Sequence, residues 1–452
     1  MLGGSSSING LVHVRGQAED FDAWASLGNH GWSYADCLPY FKKSESYQHG
    51  ADAWHGDDGP LVVSDLPDRH PLCDAFIAGW QELGLPRNDD FNGAAQAGAG
   101  YFHSTAQHGR RCSSAVAYLR PARARRNLSV VTHALVSRIL FSAQRAIGVE
   151  FSVGSDVRQA RAHREVLLCA GSLGSPTVLQ RSGIGPRELL ARYHVPVVFE
   201  SPAVGEGLQD HFYVRTIWRC TQPITTNDDL GSMFGKLRSG LRYLRSRRGP
   251  LAISAGYAGA FVHSRSEVTR PDVQYYLINF STDKMGTGLH PFSAFTVSMS
   301  PLRPASRGHV HIRSADANVA PAIQYNFLSD ESDRRTLVAG LMRIRPLLAS
   351  APMRPFVRDE YSPGRQVQSA AEWLDYARQA GGTVYHPTST CCMGSGAGAV
   401  VDARLRVRGV RQLRVIDASV MPNVVSGNTN AACIMLAEKA ADLVLEDAAQ
   451  EQ

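Results

Sequence analysis

Lysine is scarce in this chain. Of 452 residues only those at positions 42, 43, 236, 284 and 439 are lysine, so the basic charge rests on arginine. The formal net charge is +6, but the arginines are scattered instead of clustered with aromatics, which argues against nucleic-acid binding. No apolar run approaches the roughly 18–20 residues of a membrane span, and no signal peptide precedes the first motif. The eight cysteines form no C-x-x-C ladder, so neither a zinc site nor a disulfide framework is expected, and reduced thiols in a cytoplasmic setting are. Also missing from the start is a strand, Gly-rich turn and helix of the kind that cradles a pyrophosphate. The formal match Gly394-Ser395-Gly396-Ala397-Gly398-Ala399 runs into Val400-Val401-Asp402 and follows no strand, so it is discounted.

What is present suits two intertwined or consecutive domains, since one compact domain holds about 100–200 residues. An apolar content of 44% against 19% charged is that of an ordinary globular protein. The run Val166-Leu167-Leu168-Cys169-Ala170-Gly171 reads as a strand buried on both faces. Ser175 and Pro176 then suit the N-cap and first position of a helix, with Gly183 its stop. Asn127 to Thr132 and Ala134 to Val136 alternate as strands. Leu413-Arg414-Val415-Ile416-Asp417-Ala418-Ser419 is a short apolar run ending in an acid and small residues, as a parallel strand ends at a ligand. Asn430 then opens a helical pattern from Ala431 to Glu446, with Ile434, Ala437, Ala441, Val444 and Leu445 on one face. Forty-four residues before Asn430 stands His386, within Thr383-Val384-Tyr385-His386-Pro387-Thr388-Ser389-Thr390. Taken alone, His386 reads first as a hydrogen-bonded turn residue and Asn430 as an N-cap.

Three long motifs in order lift that reading. Leu2-Gly3-Gly4-Ser5-Ser6-Ser7-Ile8-Asn9-Gly10 with Val14-Arg15-Gly16, the stretch from Gly171-Ser172-Leu173-Gly174-Ser175-Pro176 to Gly185, and Tyr385 to Asp442 resemble the glucose–methanol–choline (GMC) oxidoreductases, flavoproteins that oxidise alcohols with FAD. The resemblance implies an α/β fold with an α+β second domain: a Rossmann-like FAD-binding part, incomplete here, and a substrate domain on an antiparallel sheet with helices. It divides the chain into 1–50, 121–215 and 381–452 on the FAD side, with 51–120 and 216–380 on the substrate side. FAD contacts are implied at Gly4, Ser5, Asn9, Gly10, Val136, Ala170, Gly171, Asp417, Ala418 and Ala431. Some members attach FAD through a histidine at the position of Ile8, and isoleucine implies non-covalent FAD. In family members Met1 falls several tens of residues into the protein, so a misplaced start or a truncation is expected.

By the same resemblance His386 is the base and Asn430 its partner in oxidising a primary aliphatic alcohol or choline to the aldehyde, with hydride transfer to flavin N5. A neutral histidine, with an ordinary pKa of about 6.5, suits that role. Trp218, Tyr257, Tyr275 and Tyr276 are candidates for a quaternary-ammonium cage. Asp210 and His211 read as structural. A dehydrogenase passing electrons to a quinone or other acceptor is favoured over an oxidase; a lyase of the family and a non-catalytic remnant unable to hold FAD stay open. Phe234 to Arg248 is a basic amphipathic pattern, either a solvated flank or a helix on the inner membrane surface. His309 and His311 alternate on one strand without an acidic neighbour, and no metal is predicted.

Overall fold

The computed structural model describes residues 1–252, 256–284 and 286–450. Two large apolar cores organise it. The first lies on one face of a seven-stranded antiparallel sheet, in the order Val357–Ser362, Phe212–Cys220, Ala294–Pro301, Val273–Ile278, Ala258–Val262 and Gly98–Tyr101, with Gly382–Thr383 added beside Phe212 and Tyr213. Val273–Ile278 and Ala294–Pro301 are buried at every position, so both faces of the sheet are covered. On one face lie helices Pro71–Glu82, Glu331–Met342 and Ala370–Ala380, which bury Trp80, Leu337, Leu341 and Trp373. On the other lie Val12, Val14, Phe91, Phe102 and Tyr276. Strand alternation divides the adjacent tyrosines. Tyr275 donates from its hydroxyl to the Gly340 carbonyl at 2.7 Å on the helical face, and Tyr276 turns the opposite way.

The second core surrounds a parallel pair, Val166–Leu168 with Leu413–Val415. Helices Ala18–Ser26, Tyr34–Ser44, Gly171–Arg181 and Thr429–Gln450 pack around it. Phe21, Trp24, Trp32 and Phe41 are buried there against Met435, Leu436 and Ala440, each large side chain contributing roughly 1.5–3 kcal/mol of apolar burial. The two ends of the chain meet at this core. Ser426 donates from its amide to Asp20 at 2.6 Å across 406 residues, and Gly427 has no room for a Cβ, which would lie 2.6 Å from Val14 Cγ1.

Several local expectations change. Leu167 is 45% exposed and Cys169 exposed, because among the described residues the parallel sheet has two strands and one open face. The following helix begins at Gly171, four residues before the expected N-cap, and takes Pro176 inside. Proline has no N–H for the Ser172 carbonyl one turn back; that carbonyl accepts from the Thr390 hydroxyl at 2.6 Å instead. Residues 127–132 are not a strand, which runs Ala134–Ser142. The last helix starts at Thr429 and buries Ile434 as expected, but otherwise Ala432, Met435, Leu436, Lys439 and Ala440, leaving Ala437, Ala441 and Leu445 exposed. Alanines carry little burial energy, so the larger side chains set the face. Lys439 is buried with its ammonium 5.4 Å from the Trp32 ring and 4.8 Å from the Tyr40 ring.

Candidate active site

The loop carrying His386 is laced to the segment carrying His211. Phe212 pairs with Thr383 in the sheet, Val384 donates to the His211 carbonyl at 3.0 Å, and Thr388 donates to the Gln209 carbonyl at 2.9 Å. Tyr385 takes a positive φ of 63°, and the turn it makes swings His386 inward. Asp210 holds that turn, accepting from the His386 amide at 2.9 Å and from the Thr383 hydroxyl. The two imidazoles meet edge to face, with 3.0 Å between their Nδ1 atoms. His211 Nε2 lies 2.9 Å from the Leu302 carbonyl.

Burial dominates the protonation of this group. It drives the His386 imidazole well below its ordinary value, helped by His211, and pushes His211 down to about 4. Both rings are therefore neutral at physiological pH. The Asp210 carboxyl is pushed up to about 7 by burial, which outweighs its bonds from Thr383 and the His386 amide.

The asparagine that meets His386 is Asn428, two residues before the one expected. Its Nδ2 lies 3.3 Å from His386 Nε2. Its Oδ1 accepts from the Tyr276 hydroxyl at 3.1 Å and from Gln274 Nε2 at 3.4 Å. Asn428 immediately precedes the helix, yet this amide is spent on the sheet and on His386 instead of on first-turn amides. Asn430 lies inside the first turn, half-buried, and its side chain makes no hydrogen bond among the described residues. An N-T-N pattern offers two asparagines, and helix phase decides which one faces the histidine. Of the aromatic candidates, Tyr276 reaches this site, while Tyr275 and Trp218 are committed to the helical face and to Thr216. The contact between His211 and His386 is long-range and has no local sequence signal.

The residues expected to hold FAD lie mostly at the open edge of the second core. A Cβ added at Gly4, Gly10 or Gly171 would meet nothing within 4 Å, leaving backbone accessible to a large flat ligand. Ser5 and Ala170 are exposed. Asn9 instead braces the turn, its Oδ1 accepting from the Leu11 amide at 3.1 Å and from Arg111 at 2.6 Å. Asp417 also works internally: one carboxylate oxygen accepts from the Gly171 amide at 2.9 Å and the Ser175 hydroxyl at 2.5 Å, the other from the Ser419 amide at 2.9 Å. It clamps the open start of helix Gly171–Arg181 to the end of strand Leu413–Val415. Val136 and Ala418 pack partly against the core, and Ala431 is buried in the first turn of the last helix. The open backbone at Gly4, Gly10 and Gly171 fits residues that would hold a dinucleotide.

A second polar cluster lies beneath the first motif. Glu45, 1% exposed, accepts from Arg15 at 2.5 Å, lies 3.0 Å from His55 Nδ1, and comes within 3.3 Å of His13. His55 Nε2 is 3.0 Å from Asp90. Burial acts to lower the His55 pKa, but hydrogen bonds to Asp90 and Glu45 outweigh it and raise it to about 9. Elsewhere, His311 is paired with Glu206 at 2.5 Å, an acidic partner the sequence spacing did not reveal. No helix among the described residues is long and apolar enough to cross a membrane.

The N-terminal family model of the GMC oxidoreductases matches residues 1–213 and the C-terminal one residues 304–437. An oxygen-dependent choline dehydrogenase from Yersinia pseudotuberculosis is 42% identical over 448 residues, 98% of this chain and 79% of the relative. One from Pectobacterium atrosepticum is 40% identical over 446 residues, 98% of this chain and 80% of the relative. Among solved structures, pyridoxine 4-oxidase from Mesorbium loti is 28% identical with a TM-score of 0.86, covering 97% of this chain and 82% of its own. An FAD-dependent oxidoreductase from Chaetomium thermophilum is 26% identical with a TM-score of 0.89, covering 98% and 85%.

Proposed function

Since the chain belongs to the GMC oxidoreductase family, whose members oxidise alcohols through FAD, we propose that it converts a primary alcohol, choline or an aliphatic alcohol, to the aldehyde as a dehydrogenase. The observation that supports this best is the pairing of His386 Nε2, on a ring that burial keeps neutral, with the Asn428 amide at 3.3 Å. His386 takes the hydroxyl proton at Nε2. Asn428 is pinned at Oδ1 by Tyr276 and Gln274, and its second amide hydrogen is free to hold the developing alkoxide. Bound FAD supplies the acceptor for the hydride leaving the alcohol carbon. Electrons then pass to a quinone or another acceptor.

Gly4, Ser5, Gly10, Ala170, Gly171, Val136, Ala418 and Ala431 would hold FAD non-covalently, with Asn9 and Asp417 shaping its bed. Ile8 carries no nucleophile. In this reading residues 1–50, 121–215 and 381–452 form the FAD side, and 51–120 with 216–380 the substrate side. The choline branch is supported by the relatives' names, and Tyr276, whose hydroxyl meets Asn428, is the aromatic candidate nearest His386 for a quaternary ammonium.

Contact with a membrane surface falls to helix Met233–Ser246. Met233, Phe234, Leu237, Leu241 and Leu244 are 82%, 75%, 61%, 59% and 68% exposed, and Lys236, Arg238, Arg242 and Arg245 lie among them. An apolar stripe bordered by cations suits the interface of an anionic bilayer, here the cytoplasmic face of the inner membrane.

The test of the reaction is anaerobic mixing of the flavin-loaded protein with choline and with a simple primary alcohol. Bleaching of the visible flavin band is expected, and its loss in His386→Ala with flavin content retained. A protein that keeps its flavin and is bleached by no alcohol would overturn the proposal.

A further inference from the structure

The hydrogen bonds around His386 run in one direction only. Tyr276 is a donor to Asn428 Oδ1, and so is Gln274 Nε2, which leaves the Asn428 NH₂ facing His386. An amide NH₂ only donates, so His386 Nε2 must accept and carry no hydrogen. At the far end, the Leu302 carbonyl only accepts, so His211 must carry its hydrogen on Nε2. Its Nδ1 is then a bare acceptor, 3.0 Å from His386 Nδ1. Reading from either end gives the same answer: His386 is the Nδ1–H tautomer and His211 the Nε2–H tautomer. The reverse arrangement would set lone pair against lone pair between the rings and N–H against N–H at Asn428, all in a buried site.

We propose that His211 is a positioning residue for the oxidation described above: by accepting from His386 Nδ1 it fixes the tautomer that leaves His386 Nε2 bare toward the substrate. The role rests on His386 being the base. It differs from that of a carboxylate partner, because a neutral imidazole orients the ring without adding a counter-charge for the protonated state. The groups facing the pair are Asp210, on the backbone amide of His386, and the uncharged Asn428, Tyr276 and Leu302 carbonyl. Proton acceptance and ring orientation are thereby separated between two histidines 175 residues apart.

The test compares His211→Asn, whose Oδ1 can replace the accepting Nδ1, with His211→Ala and His211→Asp, using His386→Ala as reference. In the flavin-loaded enzyme His211→Ala should lower kcat roughly ten- to thousandfold, with KM for the alcohol and flavin content little changed. His211→Asn should recover most of that loss. His211→Asp should move the acid limb of the kcat/KM profile upward, because a carboxylate favours the imidazolium. Equal losses in the Ala and Asn variants, or none in Ala, overturn the inference. If His386→Ala is fully active, it is the assignment of the base that falls. A readout free of turnover and of folding defects is the ¹⁵N spectrum of histidine-labelled wild-type protein. It should show His386 protonated at Nδ1 and His211 at Nε2, and a His386 Nε2–H signal would refute the proposal.

Discussion

Glu45→Gln removes one negative charge from beneath the first motif and leaves its neighbours in place. Arg15 is 1% exposed and gives Glu45 its Nη2 at 2.5 Å, keeping only the Trp54 carbonyl at 2.6 Å on Nη1 as a further oxygen partner. His55 would keep Asp90 alone. Breaking a buried pair by neutralising one member costs roughly 3–5 kcal/mol, because the remaining charge is uncompensated. With an unfolding entropy of about 2 cal/mol/K per residue, that corresponds to a melting temperature lower by roughly 3–5 °C. The pH dependence adds a second signature. The folded pKa of His55 is about 9, above its ordinary value of about 6.5. Its stabilising contribution is therefore full below about pH 6.5 and lost as pH rises through 9. Glu45→Gln should flatten the decline across that window as well as lower the melting temperature at pH 7. Differential scanning calorimetry at pH 6.5, 7 and 9 measures both. A shift below about 1 °C at pH 7, or an unchanged slope between pH 6.5 and 9, would refute the view that this network is held by paired charge.

Asn428→Ala should reduce alcohol turnover on the order of 10²-fold through loss of one oriented donor, and Asn430→Ala should leave it near the wild-type rate; steady-state kcat with flavin content read in parallel decides between them. Asp210→Asn should flatten the stability profile from about pH 4 to 7. The raised native pKa of about 7 makes the folded state keep a proton that the unfolded state loses, so wild-type stability falls as pH rises across that window; thermal melts in this range check the sign. The double change Leu237→Asp and Leu241→Asp should weaken co-sedimentation with anionic vesicles by more than about 100-fold, at roughly 1.5–3 kcal/mol for each leucine withdrawn from the apolar phase, while kcat with a soluble dye acceptor stays unchanged.

The three motifs in the sequence were sufficient for the family and for a fold that includes an antiparallel sheet covered by helices. They were legible because each is a local string whose residue types carry its chemistry. The choice between Asn428 and Asn430 was not legible, since it depends on where the last helix begins, and the difference of one residue between Thr429 and Asn430 changes which side chain faces the sheet. The burial face of that helix was misjudged because its alanines repeat with a helical period as regularly as its larger residues. Ser175-Pro176 carries a strong helix-start signal, and it was overridden by a partner no local rule supplies, the Thr390 hydroxyl on the Ser172 carbonyl. His211 read as structural, and its contact with His386 spans 175 residues. Pairings of that kind are set by the fold and leave no trace in spacing.

The bond from the Ser426 amide to Asp20 joins residues 406 apart, two positions before Asn428. A loop that long closes only after most intervening structure exists, because its closure entropy must be met before the contact stabilises anything. The asparagine arm of the site therefore depends on both chain termini being docked at once. Fraying at either end should separate Asn428 from His386 while both sheets and their helices persist. Catalytic competence would then disappear earlier than secondary structure under heat, denaturant or limited proteolysis, so that for this protein activity is the more sensitive gauge of whether the two ends remain joined.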